Sequence, residues 1–205
     1  MLSLLILKGG LLTHMMIDLT APLFCILLGI GSGIGWLIWK KQRLQIRYWL
    51  IPLFVCYLLL LMKLTVFPIH IYDRKTVAGM TEYAGGAIVY YQLIPFASIQ
   101  NYFHGSGIAQ LAGNILLLAP MAVFAEIFLL QRPRAWHVAL GVSSVSLLIE
   151  MLQLVISVTT RFPSRVVDVD DLILNTAGVM ITLVFTRLIT RNQNIRKVLQ
   201  KILYR

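Results

Sequence analysis

Charge is what this sequence has least of. Asp, Glu, Lys and Arg make up 13% of its 205 residues, where a soluble domain carries about 25%. Apolar residues fill the space, at 59% against roughly 45–50% in soluble domains. That balance excludes a water-soluble globular chain and marks an integral membrane protein. Cysteine is almost missing too. Cys25 and Cys56 each sit inside an apolar stretch, which excludes a disulfide framework and a thiolate metal centre. Acids number eight against 18 Lys and Arg, for a net charge of +10. In a chain this apolar, the basic excess belongs to membrane topology, and no nucleic-acid partner is expected. Internal repeats and low-complexity tracts are also missing.

What the chain does have is long apolar runs. Crossing about 30 Å of hydrocarbon takes roughly 20 apolar residues. Five stretches are long enough: residues 17–39, 48–67, 108–130, 136–158 and 171–189. The first holds Gly29, Gly31, Gly33 and Gly35, which permit close helix packing. The second has Lys63 near one end, and the third is interrupted by Pro120. The N-terminal "MLSLLILKGGLLTHMM" is too short to span and lacks a basic start and a small-residue cleavage site, so it reads as an interfacial segment. The expected fold is an all-α bundle of about five transmembrane helices. Residues 1–62 would hold the interfacial segment and two spans, residues 63–190 a second unit, and residues 191–205 a basic tail.

Basic residues set the orientation. Lys40, Lys41, Arg43 and Arg47 lie between spans one and two, and Arg132 and Arg134 between three and four. Arg187, Arg191, Arg196, Lys197, Lys201 and Arg205 end or follow span five. These regions hold 12 of the 18 basic residues and no acid. The N-terminus is therefore expected outside and the C-terminus in the cytoplasm. The outer connection over residues 68–107 contains "GGAIVYYQLIPFASI", too short to span but suited to the interface or to re-entry.

Polar residues within the spans form stripes. Gln110 and Asn114 are four apart on span three. Ser143, Ser146, Glu150, Gln153 and Ser157 follow three-four spacing along span four, and Asp168, Asp171, Asn175 and Gly178 do so at the start of span five. With this topology all three stripes meet in the outer half of the bilayer, with Arg161 and Arg165 just above. A carboxylate at mid-membrane costs about 2.5–3.5 kcal/mol on insertion scales. Glu150 should therefore face the bundle, either protonated or paired with Arg161, Arg165 or Gln153.

Some of this polarity has plain structural uses. An aspartate at the start of span five is an N-cap, and others there favour the positive helix end. Serines in spans often only join helices. Glu126, near a span end, can snorkel. His14, His70, His104 and His137 show no metal-ligand spacing.

Four stretches, "QLIPFASI" (92–99), "GNILLLAP" (113–120), "IEMLQ" (149–153) and "RVVDVDDLILNTAG" (165–178), taken in order, resemble the VanZ family of bacterial membrane proteins. The resemblance runs over roughly residues 63–185. It implies a multi-pass protein of the bacterial cytoplasmic membrane associated with glycopeptide (teicoplanin) resistance. The family pattern falls on Pro95, Phe96, Asn114, Pro120, Glu150, Gln153, Arg165, Asp168, Asp170, Asp171, Asn175 and Gly178. The chain departs from it at Gln92, where Asn is common, at Met121 and Ala122, and in a reduced glycine run after Gly178.

Three functions remain open from the sequence. One is an accessory protein of the cell envelope whose outward-facing polar pocket binds a cell-wall precursor, a lipid or the glycopeptide itself. A second is a membrane-embedded enzyme acting on a lipid-linked phosphate. Asp168, Asp170 and Asp171 would be hard oxygen ligands for Mg²⁺ or Ca²⁺, Glu150, Asp168 and Asp171 would carry the chemistry, and Arg161 and Arg165 would meet phosphate. The third is a small proton-coupled transporter using Glu150. In each, Asn114, Gln153, Arg161, Arg165, Asp170 and Asn175 would be binding residues.

Overall fold

The computed structural model describes residues 3–4, 14–42, 50–83, 85–86, 88–103, 107–128 and 134–204. Most of the N-terminal interfacial segment, His104, Arg43, Arg47, Arg132 and Arg205 lie outside the described residues. The chain is mostly helical. Among the described residues, three helical runs are long and apolar enough to cross a membrane. One is the pair α5 (Ile108–Leu117) and α6 (Ala119–Phe128); the others are α7 (Ala135–Thr160) and α8 (Val169–Arg191). Two more helices, α1 (Ala21–Gln42) and α2 (Leu50–Thr65), contribute shorter apolar stretches, Ala21–Ile34 and Leu50–Thr65.

The joint between α5 and α6 falls where the sequence places Pro120. A proline has no N–H for the carbonyl four residues back, and the carbonyl of Leu116 instead accepts the Leu118 N–H. Pro120 itself sits in the first turn of α6, where a missing donor costs nothing.

Lipid is as apolar as leucine, so helices in a bilayer are held together by close approach and by hydrogen bonds between them. Both devices are present. Helix α8 packs against α5, α6 and α7, and at Gly178 a Cβ would lie 1.8 Å from the Ile115 carbonyl oxygen. Nothing larger than glycine fits there. At Gly31 a Cβ would lie 2.7 Å from a side-chain methyl of Val55 on α2. Leu61, Leu118, Ala122, Val142, Val179 and Leu183 form the centre of the core, while Leu140, Leu148, Val155 and Phe185 are exposed on the outside.

The expectation of an all-helical chain needs amending. Strand β1 (Ser3–Leu4) pairs antiparallel with β2 (His14–Ile17), which pairs with β3 (Ile69–Tyr72), His14 opposite Tyr72 and Ile17 opposite Ile69. "HMMI" and "IHIY" are too short to show strand periodicity and are recognisable only once paired. The sheet holds the start of α1 and the end of α2 at one end of the bundle, where Lys63 also forms an ion pair with Asp18. At the opposite end Arg187 of α8 bonds Glu126 of α6 at 2.6 Å. Glu126 is therefore tied to a neighbouring helix and does not snorkel.

The connection after β3 contains α3 (Arg74–Tyr83), β4 (Tyr91–Gln92) and α4 (Ala97–Phe103). Strand β4 runs parallel to β5 (Val167–Asp168), Gln92 opposite Asp168. The last helix is α9 (Gln193–Tyr204).

Candidate functional site

The three-four spacing along α7 turns Ser146, Glu150, Gln153 and Ser157 to one buried face. Each has a partner outside α7. Asn175 Nδ2 of α8 donates to Ser146 Oγ at 2.8 Å. Glu150 Oε2 accepts the backbone N–H of Asp168 at 3.1 Å. Gln153 Nε2 donates to the Thr65 carbonyl at 2.8 Å, and Ser157 Oγ to the Arg165 carbonyl at 3.0 Å. Polar groups on a membrane helix that find partners in this way join helices without leaving dipoles in hydrocarbon.

The opening of α8 divides three aspartates among three tasks. Asp168 is the N-cap, accepting the Asp170 N–H at 2.9 Å. Asp171 accepts a hydrogen bond from Asn114 Nδ2 of α5. Asp170 is fully buried and accepts three backbone N–H groups at the start of α4: Phe96 at 2.6 Å, Ser98 at 2.9 Å and Ile99 at 3.1 Å. Those donors belong to a helix N-terminus, whose first N–H groups lack partners within the helix. Phe96 supports the geometry with a left-handed backbone, φ 67°.

Between α2, α5, α7 and the start of α8 lies a cavity of about 510 Å³. Of the nine site residues expected from sequence, Glu150, Asp168, Asp171, Asn114, Gln153, Arg165 and Asn175 line it. Asp170 does not, because its carboxylate is committed to the α4 backbone. Arg161 does not either. It caps the C-terminus of α7 in a left-handed conformation and is exposed. Arg165 lines the cavity, but its Nη2 donates to the carbonyls of Leu64 (3.1 Å) and Phe67 (3.3 Å), at the negative end of α2.

Among the further residues of the wall are Thr65, Tyr102 and Gln110. Gln110 was visible as part of a polar stripe. Thr65 and Tyr102 carried no sequence signal that set them apart. Tyr102 accepts a hydrogen bond from Gln110 Nε2 at 2.8 Å. Its pKa is pushed up to about 12, first by burial and then by the negative charges of Asp171, Asp168 and Asp170. Among the described residues, no three His, Cys, Asp or Glu side chains are grouped so as to hold a metal ion, and the aspartates point to different partners.

The family model for VanZ/LLP1 matches residues 54–190. The chain belongs to the VanZ/LLP1 family. That range contains every residue lining the cavity and both partners of the Asp170–α4 bonds. Comparison of this VanZ-family chain with curated proteins and with solved structures finds no match. The four sequence stretches that resembled VanZ are in contact with one another: "QLIPFASI" is held by Asp170 and by β5, "GNILLLAP" by Asp171 and Gly178, and "IEMLQ" by Asp168.

Proposed function

We propose that this VanZ-family protein crosses the bacterial cytoplasmic membrane five times, with its N-terminus outside and its C-terminus in the cytoplasm. Its cavity opens outward and binds a component of the cell envelope, and through that binding the protein contributes to glycopeptide resistance. The unit that does this spans residues 63–190, following the two N-terminal helices and preceding the basic tail.

One observation carries the reading. Glu150, Asp168 and Asp171, three carboxylates from two helices, border a single cavity at one end of the bundle. Capping and helix joining account for one oxygen of each acid and need no cavity between them, and acids within a membrane bundle are costly and mark functional sites. The orientation rests on charge: the opposite end carries Arg134, Arg187 and Arg191, the pattern of a cytoplasmic face. Phosphate chemistry gains no comparable support, since Arg161 lies off the cavity and Arg165 is turned to backbone carbonyls.

The test replaces Glu150→Gln, Asp168→Asn and Asp171→Asn singly, each keeping shape and removing charge. Teicoplanin susceptibility is measured beside membrane abundance. The reading expects normal abundance with susceptibility rising towards that of cells lacking the protein. Full resistance in all three variants would reduce the cavity to a structural feature.

A further inference from the structure

Negative charge inside a low-dielectric wall needs compensation. Of the described residues lining the cavity, Arg165 is the one Lys or Arg; its Nη2 donates to the carbonyls of Leu64 and Phe67, and its single positive charge stands against three carboxylates. Three neutral amides of the wall already donate within the protein. Gln153 Nε2 is on Thr65, Asn114 Nδ2 on Asp171 and Asn175 Nδ2 on Ser146. One buried amide oxygen of the wall is left without a donor. Asn175 lines the cavity, is 2% exposed, and its Oδ1 has no hydrogen-bond partner. A buried amide oxygen left in that state costs stability unless a ligand donates to it.

The mouth of the cavity has its own character. Gln110 and Gly113 of α5 line the cavity and are also exposed, on a helical run long enough to lie in the bilayer. Acids inside the cavity and a wall exposed on a helical run long enough to lie in the bilayer fit a molecule with a polar head and an apolar tail.

Resting on the reading that this cavity binds an envelope component, we propose that its ligand is a membrane-soluble amphiphile with a cationic amine head. The ammonium N–H groups donate to Asn175 Oδ1 and to the carboxylates of Glu150, Asp168 and Asp171. The tail leaves past Gln110 and Gly113 into lipid. An anionic head meets repulsion from three acids, and a neutral head leaves their charge uncompensated.

The test uses the full chain in phosphatidylcholine nanodiscs with tritiated dodecylamine as probe and empty nanodiscs as background. Saturable binding near one probe per chain is expected, displaced by unlabelled dodecylammonium. Dodecyl phosphate at equal concentration should not displace it, and ethylammonium should do so roughly tenfold less well or worse, having lost the apolar tail. Asn175→Leu should weaken binding. Because that change also removes the bond to Ser146, the comparison of head groups on the unaltered protein is the deciding arm. No saturable binding, or displacement by dodecyl phosphate as effective as by dodecylammonium, overturns the proposal. The two readings fail separately. Loss of resistance in the carboxylate variants without amine binding removes the ligand class and keeps the function. Amine binding with resistance untouched by those variants keeps the ligand class and removes the function.

Discussion

Asp170 and Phe96 lie 74 residues apart in sequence, and the backbone N–H of Phe96 donates to the Asp170 carboxylate at 2.6 Å. With Ser98 and Ile99 on its other oxygen, one side chain from α8 caps α4 from across the fold. Asp170→Ala leaves three donors unmatched at a buried site, a loss of about 3 kcal/mol. The thermal midpoint should fall, and limited proteolysis should cut within residues 88–103. Asp168→Ala, which removes the cap of its own helix, should cost about 1 kcal/mol and leave that segment resistant. Equal effects of the two substitutions would contradict the assignment.

Gly178→Ala tests the closest helix contact. Its Cβ would fall 1.8 Å from the Ile115 carbonyl oxygen, so α8 and α5 must separate, at a cost of about 1–3 kcal/mol. Gly33→Ala, with nothing within 4 Å of the added atom, should leave the thermal midpoint unchanged. A tolerated Gly178→Ala would mean that the two helices are not packed as described.

The pair Glu126–Arg187 should stabilise the end of the bundle opposite the cavity. Arg187 is partly exposed, with a side-chain relative accessibility of 32%, which lowers its worth below that of a fully buried pair. A double-mutant cycle with Glu126→Gln and Arg187→Gln should give a coupling of about 1 kcal/mol. A coupling of zero would show that the two side chains act independently.

His70 gives a pH dependence. Its pKa is lowered from its ordinary 6.5 by burial and by His14, with Asp18 opposing, and His14 Nε2 lies 3.1 Å from His70 Nδ1. The folded chain binds this proton less well than the unfolded one. The resulting stability is therefore present above pH 6.5 and is lost as pH falls from there through the folded value. An NMR titration of the His70 ring should give a midpoint below 6.5, and His14→Gln should raise it. A midpoint above 6.5 in the unaltered protein would reverse the sign.

Much of this was legible in the sequence because periodicity carries it. Ser146, Glu150, Gln153 and Ser157 share a buried face, as three-four spacing requires, and Pro120 marked the break between α5 and α6. Pairing across long separations was not legible. Asp170 looked like a pocket residue beside Asp168 and Asp171, yet its role depends on backbone donors in residues 96–99, which no local pattern announces. Arg161 sat near the acids in sequence but adopts a left-handed turn that carries it away from the cavity. Thr65 and Tyr102 reach the site through the ends of α2 and α4, whose placement relies on β3 and on Asp170. The short strands escaped notice because four residues are too few to show alternation.

The most direct test of an acidic pocket open to the outside is the reactivity of a thiol placed in its wall. Asn114→Cys, in a chain with Cys25 and Cys56 replaced by alanine, would be labelled in intact cells with membrane-impermeant methanethiosulfonates. Rates for the cationic and anionic reagents would each be normalised to a free thiol in solution. The account predicts labelling from the outside, with the cationic reagent favoured. Labelling that requires permeabilised cells, or an anionic reagent that reacts as fast as the cationic one, would contradict it.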